Sequence, residues 1–224
     1  MIRRLAFCAL IVLAIDGGTA LAQTRPAPRP LPPPADPFGF RGFADVGGTR
    51  FSASQSFEAV LGTATGMLFG GGAEALFSGR VFVNVRVSRF EHSGERVFVS
   101  GGTQFPLGIP STVTITPIEV SAGYRVVRPR WRVVPYAGGG IGWYGYAETS
   151  EFATDEENVS ERFTGYHVLG GVEFPLSRWI GIAGEAQWAT VPDALGQDPN
   201  SVAREFGESN LGGTTFRVKL VIGR

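Results

Sequence analysis

The feature that most constrains the fold is an alternation of apolar and polar side chains with a period of two residues. It is clearest over residues 80–90, where valines at 81, 83, 85 and 87 alternate with Phe82, Asn84, Arg86 and Ser88. Successive side chains of a β-strand point to opposite faces, so this period predicts a strand. Similar short runs recur from Phe38 to the end of the chain, and no window shows sustained helical spacing. The pattern therefore predicts an all-β fold.

Eight segments carry this pattern, and most have about the 9 to 11 residues that a tilted membrane strand needs. They are 40–49, 67–77, 81–89, 112–125, 134–146, 164–174, 180–189 and 213–222. Three connections between them are short, at 78–80, 126–133 and 175–179. Four are long, at 50–66, 90–111, 147–163 and 190–212. Alternating short and long connections are typical of transmembrane barrels. We therefore predict an eight-stranded antiparallel up-and-down transmembrane β-barrel with four long outer loops.

The two faces of these strands differ completely in charge. The more apolar set of alternate positions carries no charged residue. The interleaved set carries five cations and five anions, namely Arg41, Asp45, Glu74, Arg86, Glu119, Arg125, Glu173, Glu185, Arg217 and Lys219. An Arg or Lys facing lipid at the bilayer midplane costs ~2–4 kcal/mol, so we expect the uncharged face to meet lipid and the charged face to line the lumen. The alternative is a soluble sandwich or lipocalin-like barrel with solvated charges.

The expected register indicates which lumen charges meet. The turn 78–80 pairs Phe77 with Val81, which places Glu74 one inward step from Arg86 and predicts a contact between them. By the same counting, Glu185 is expected to find a cation on the last strand. Lumen glycines are expected to leave room beside the long charged side chains. The candidate structural site is thus a lumen charge network of Glu74, Arg86, Glu119, Glu185, Arg217 and Lys219.

The N-terminal region indicates export to the cell outer membrane. Residues 1–22 have a basic start, a short apolar core and the sequence Ala20-Leu21-Ala22, which predicts a signal peptide cleaved after Ala22. The apolar core is too short for a transmembrane anchor. Residues 23–38 are proline-rich and predict an extended periplasmic linker, with a ligand for a proline-binding groove as the alternative. Residues 39–224 form the predicted barrel domain.

Three segments carry a family resemblance: residues 133–146, 165–188 and 214–224. They resemble the small bacterial outer-membrane β-barrel families grouped around the OmpA membrane domain and the OmpW-like proteins. The likeness extends over nearly all of 40–224. It implies a barrel with a polar core and variable loops, and it implies no catalytic set.

No motif indicates catalysis or a bound cofactor. The chain has no G-x-S-x-G, H-E-x-x-H or P-loop sequence, so we expect no enzyme activity, no cofactor and no metal. His167 is expected to be a hydrogen-bonding lumen residue; a lipid-modifying site with inward Ser121 and Glu173 is the alternative. The acidic stretch within 147–163 is expected to be a solvated outer loop, with a calcium site as the alternative.

The function expected from these features is a structural or surface-interaction role in the outer membrane. The alternative is a narrow channel for small solutes or ions. Expected partners are outer-membrane lipid, lipopolysaccharide and the barrel-assembly machinery. The formal net charge is zero, which argues against a nucleic-acid partner.

Overall fold

The strands of this chain close on themselves as a barrel. The computed structural model describes residues 37–100, 103–150, 159–197 and 201–223, so the predicted signal peptide and most of the predicted linker lie outside the described residues. The eight strands are β1 (Phe38–Phe51), β2 (Thr65–Phe77), β3 (Val81–Ser100), β4 (Thr103–Arg125), β5 (Val134–Ser150), β6 (Val159–Pro175), β7 (Ile180–Thr190) and β8 (Gly213–Gly223). Each pairs with its sequence neighbours and β1 pairs antiparallel with β8. The predicted barrel is confirmed.

The middle strands are longer than predicted. Residues 90–111 were expected to form a loop, but most of them continue β3 and β4 as a paired ribbon. We call residues 91–100 and 103–114 the outer hairpin. A bulge between Glu95 and Val97 shifts its register, which breaks the two-residue period on which strand prediction rests. Strands β5 and β6 likewise extend into the predicted loop 147–163, to Ser150 and from Val159.

Within the described residues, two short helices lie in long connections, where the sequence shows no sustained helical spacing. Helix α1 (Ser54–Leu61) joins β1 to β2 and ends at Gly62, whose φ of 72° is left-handed. Helix α2 (Val202–Glu205) lies between β7 and β8. Residues 50–66 were predicted only as a long outer loop, and the helix within them was missed because one face of an eight-residue helix is too short to establish a period. In the described parts of the chain, no helix is long and apolar enough to cross a membrane.

The two faces of the barrel wall have the predicted character. Large apolar side chains such as Phe69, Val85, Ile182 and Phe216 are exposed on the outside. All ten inward charged residues are buried, each with at most 8% of its surface exposed. We call the end with the short turns the inner end and the other the outer end.

Candidate functional site

Four charged side chains form one cluster near the inner end. The lower charge cluster consists of Arg41, Glu74, Arg125 and Glu173. Arg41 pairs with Glu74 and donates from Nη1 to Glu173 Oε1 at 2.8 Å. Arg125 donates to Glu173 Oε2 at 2.8 Å and to the carbonyl of Gly79 in the first short turn. Two cations thus face two carboxylates, and the cluster is neutral when all four groups are ionised.

The remaining six buried charges form a second cluster further along the lumen. The upper charge cluster consists of Asp45, Arg86, Glu119, Glu185, Arg217 and Lys219. Arg86 is its centre: its Nη2 lies 2.7 Å from Glu185 Oε1 and its Nε lies 3.2 Å from Asp45 Oδ2. Lys219 Nζ lies 3.2 Å from Glu185 Oε2. Three cations and three carboxylates again balance, as a low-dielectric interior demands.

The structure assigns partners that differ in part from those expected. The predicted contact between Glu74 and Arg86 is wrong, because Glu74 pairs with Arg41 across β1 and β2. Glu185 does pair with cations of the last strand, Lys219 at 3.2 Å and Arg217 at 3.6 Å. The remaining member of the predicted network, Glu119, lies in the same cluster as Arg86.

Neutral side chains donate hydrogen bonds to two of the upper carboxylates, Glu119 and Glu185. Tyr136 donates its hydroxyl to Glu185 at 2.9 Å, and Tyr144 donates to Glu119 at 2.8 Å. Gln187 donates its amide to Glu119 at 2.6 Å. Its amide oxygen accepts from Arg86 at 3.2 Å and from Arg217 at 3.0 Å. These uncharged residues were absent from the predicted network, because the alternation indicates which face a side chain occupies but not which partner it reaches.

Aromatic rings separate and cover the charges. Phe43 lies beneath two cations, with Lys219 Nζ 4.4 Å and Arg86 Cζ 5.3 Å from its centroid, the geometry of cation–π contacts. Phe82 meets Tyr136 edge to face at 6.0 Å. A Cβ on Gly123 would lie 2.5 Å from Phe82 Cζ. Lumen glycines therefore make room for rings as well as for the charged side chains that the sequence suggested.

One set of lumen residues has the composition of a catalytic triad. Ser121 Oγ lies 2.7 Å from His167 Nε2, and His167 Nδ1 lies 3.8 Å from Glu119 Oε1. The Ser121 and His167 residues are only 2% and 3% exposed, so a substrate cannot reach the hydroxyl. The geometry supports the hydrogen-bonding role expected for His167. The carboxylate beside it is Glu119, and Glu173 belongs to the lower charge cluster.

An apolar layer closes the outer end of the lumen. This outer plug is built from β1, α1, β2 to β5 and the β7–β8 connection; its large members are Phe51, Phe57, Leu61, Leu68, Phe90, Val113, Ile115, Tyr144, Val191 and Leu211. Phe51 and Phe57 stack with centroids 4.2 Å apart, and Phe90 meets Phe51 edge to face at 5.0 Å. A cavity of about 50 Å³ is lined by residues of both the plug and the upper charge cluster.

A carboxylate from a distant segment holds α1 in this plug. The N-cap residue Ala53 offers no side-chain cap. Glu208, in the β7–β8 connection, instead accepts hydrogen bonds from the backbone amides of Gln55 at 3.1 Å and Ser56 at 2.8 Å. It also accepts from Ser56 Oγ at 2.6 Å. A carboxylate at a helix N-terminus satisfies free amides and favours the helix dipole, so the two long connections stabilise each other.

Metal ligation finds no support in the described ranges, where no group of three or more His, Cys, Asp or Glu side chains could hold an ion. Most of the acidic stretch considered as a calcium site, residues 151–158, lies outside those ranges.

Comparisons with known proteins agree with this architecture. None of the curated protein sequences matches the chain. The solved structure of the outer membrane protein OprG from Pseudomonas aeruginosa is similar with a TM-score of 0.50 at 13% identity, over 84% of this chain and 95% of that one. Neisserial surface protein A gives a TM-score of 0.48 at 14% identity, over 84% of this chain and 95% of that one. At such identity the OprG likeness concerns the fold. The family model of the outer membrane protein β-barrel domain matches residues 18–221, and the chain belongs to that family.

Proposed function

We propose that this protein is a closed outer-membrane barrel whose role is structural or depends on contacts of its outer surface. The observation that carries the proposal is the outer plug above two neutral charge clusters. An eight-stranded barrel has an interior that side chains just fill. Here ion pairs fill the lower and middle parts, and apolar rings fill the top.

The outer hairpin supplies the surface for such contacts. Phe98 and Phe105 face each other across β3 and β4 with centroids 6.3 Å apart, and both are about half exposed. Leu107 is exposed beside them. Arg89 and Glu91 form an exposed ion pair at its base, where the uncharged outward face ends. Exposed apolar side chains beyond this ion pair favour contact with another molecule.

Lipid contacts are proposed for the uncharged outward face of the strands, which we call the apolar belt. The exposed apolar belt is proposed to contact outer-membrane lipid and lipopolysaccharide, with the exposed residues Arg50 and Arg162 at its outer edge available to phosphate groups. The inner edge carries Arg128 stacked on Trp131, 4.6 Å from the ring centroid, which suits an interface between lipid and water. Insertion of such a barrel is proposed to use the barrel-assembly machinery.

A narrow channel is the second candidate, and one observation favours it. The cavity of about 50 Å³ borders Ser88, Glu119 and Arg217, and the side-chain oxygens of Ser88 and Asn84 are buried without a hydrogen-bond partner. The wall of this cavity is mostly apolar, but a space of this size beside such polar groups can hold water. A continuous path would still have to pass the outer plug.

Conductance in planar bilayers separates the two candidates. The purified protein is expected to give no stable current steps, and Glu58→Gln, on the exposed side of α1, should behave identically. Phe57→Ala with Leu61→Ala opens the plug but leaves the charge clusters, so it too should give no porin-sized steps. Stable current steps from the unaltered protein, even small ones, would overturn the closed-barrel proposal in favour of the narrow channel. Surface contacts are tested by screening extracellular macromolecules against this protein and its Phe98→Ser, Phe105→Ser variant.

A further inference from the structure

A second cavity, larger than the one in the lumen, lies beyond the plug. This outer pocket has a volume of about 550 Å³ and is bounded by α1, β3 to β6 and the β7–β8 connection. Its apolar lining includes Phe57, Val60, Leu107, Val113, Tyr146 and Leu195. Pockets of about 300–1,000 Å³ with apolar walls and few polar groups are typical of small-molecule sites.

Among the residues that the structure describes, the charged lining of the outer pocket is unbalanced. It consists of one cation, Arg96, and two carboxylates, Glu148 and Glu161. Glu148 is engaged, since it accepts hydrogen bonds from Ser111 at 3.1 Å and Tyr146 at 3.3 Å and lies 3.8 Å from Arg96 Nε.

Glu161 is the carboxylate left for a ligand. It lies directly across from Tyr146 in the β5–β6 ladder, so both side chains belong to the same face. It is exposed, and within the described ranges no ion pair or hydrogen bond engages its carboxylate. The outer pocket thus offers an apolar wall with one available negative charge at its edge.

We propose that the outer pocket binds a small amphiphilic amine, with the apolar body against Phe57, Val60 and Leu195 and the ammonium group at Glu161. An apolar body replaces water along the wall, and an ammonium donates charge-assisted hydrogen bonds to a carboxylate. The pocket lies beyond the plug, so this binding does not depend on whether the lumen conducts.

Three probes test the proposal: 4-phenylbutylamine, 4-phenyl-1-butanol and 4-phenylbutanoate. They share a phenyl group on a short alkyl chain and differ in the charge of the terminal group. Binding is measured by saturation-transfer NMR and calorimetry on the full mature protein in phosphatidylcholine nanodiscs, with empty nanodiscs as the blank. The amine is expected to bind saturably and more tightly than the alcohol, and the anion most weakly. No saturable binding of the amine above the blank, or equal affinity for all three probes, would overturn the proposal.

Two variants locate the binding. Glu161→Gln keeps the shape and should weaken amine binding about threefold to fivefold, as for an exposed ion pair, while alcohol binding stays unchanged. Leu195→Trp fills the pocket and should abolish both. Glu58→Gln makes the same charge change outside the pocket and should alter neither. An unchanged amine affinity in Glu161→Gln or Leu195→Trp would contradict the assigned site. The gel shift between unheated and boiled samples verifies that each variant is folded.

Discussion

At the scale of single residues, the stability of the lumen rests on how each buried charge is paired. A carboxylate taken out of water loses several kcal/mol of hydration, which only cations and hydrogen bonds at close range restore. Asp45 illustrates the point: its side chain is fully buried, and in the described part of the chain Arg86 is its ion-pair partner, at 3.2 Å. Arg86 also serves Glu185, so its removal would leave two carboxylates short of a partner.

Replacing Arg86 with Met is therefore expected to destabilise the barrel by about 3–5 kcal/mol, the cost of breaking a buried pair. Adding Asp45→Asn removes a stranded charge, so the double variant should cost less than the sum of the two single ones. The measurement is reversible urea unfolding in lipid vesicles. Additive costs for Arg86→Met and Asp45→Asn would contradict the pairing.

Two further variants serve as controls for this cycle. Arg89→Met breaks an exposed pair with Glu91 and should cost less than about 1 kcal/mol. Glu74→Gln lies in the other charge cluster and should combine with Arg86→Met nearly additively. Strong coupling of Glu74 to Arg86 would restore the contact that the β2–β3 turn alone suggested.

At the scale of strands and turns, short connections were predictable and long ones were not. The turn 78–80 fixes its register, and the structure indeed pairs Phe77 with Val81. The register of β1 with β2 and with β8 depends on long connections or on closure, so the sequence could not place Arg41 beside Glu74. The ten inward charges follow from the period of two, whereas their partners follow from these unpredicted registers.

The space beside the strand glycines gives a prediction at this scale. Gly123→Ala places a methyl group 2.5 Å from Phe82 Cζ and close to the backbone of β5, so it should cost about 1–3 kcal/mol through overpacking. Gly184→Ala is the matched control: it lies on the outward face with nothing within 4 Å of the added Cβ, and its effect should be near zero. Urea unfolding compares the two.

A change of the Phe82 ring tests whether overpacking causes the loss of stability in Gly123→Ala. Phe82→Leu in the Gly123→Ala background should recover part of the lost stability, because it shortens the side chain that the new methyl group meets. Equal stability of Gly123→Ala and Gly184→Ala would show that the residues around Gly123 rearrange without a measurable loss of stability. It would also weaken the assignment of lumen glycines to aromatic packing.

At the scale of the whole molecule, a barrel with a charged lumen could be predicted, but the plug that closes its outer end could not. The period of two and the alternating connections determine the strand number and the outward face. The plug depends on α1 and on the connection that contains Glu208, two segments without a regular pattern that meet only in the folded chain. The same segments form the outer pocket, so sequence periodicity gave no sign of it.

The direction in which the barrel crosses the membrane gives the last prediction. Phe38 and the three short turns lie at the inner end, and the outer hairpin lies at the opposite end. Because outer-membrane barrels have their short turns in the periplasm, the hairpin should face the cell exterior.

Labelling of single introduced cysteines tests this orientation. The only cysteine of the sequence, Cys8, falls in the predicted signal peptide, so each variant of the mature chain should contain one cysteine. In intact cells a membrane-impermeant maleimide should label Phe105→Cys and leave Arg130→Cys unlabelled until the outer membrane is permeabilised. Val85→Cys, exposed on the apolar belt, should stay unlabelled in both cases and react only after denaturation. Labelling of Arg130→Cys alone in intact cells would reverse the orientation, and ready labelling of Val85→Cys would show that this belt meets water.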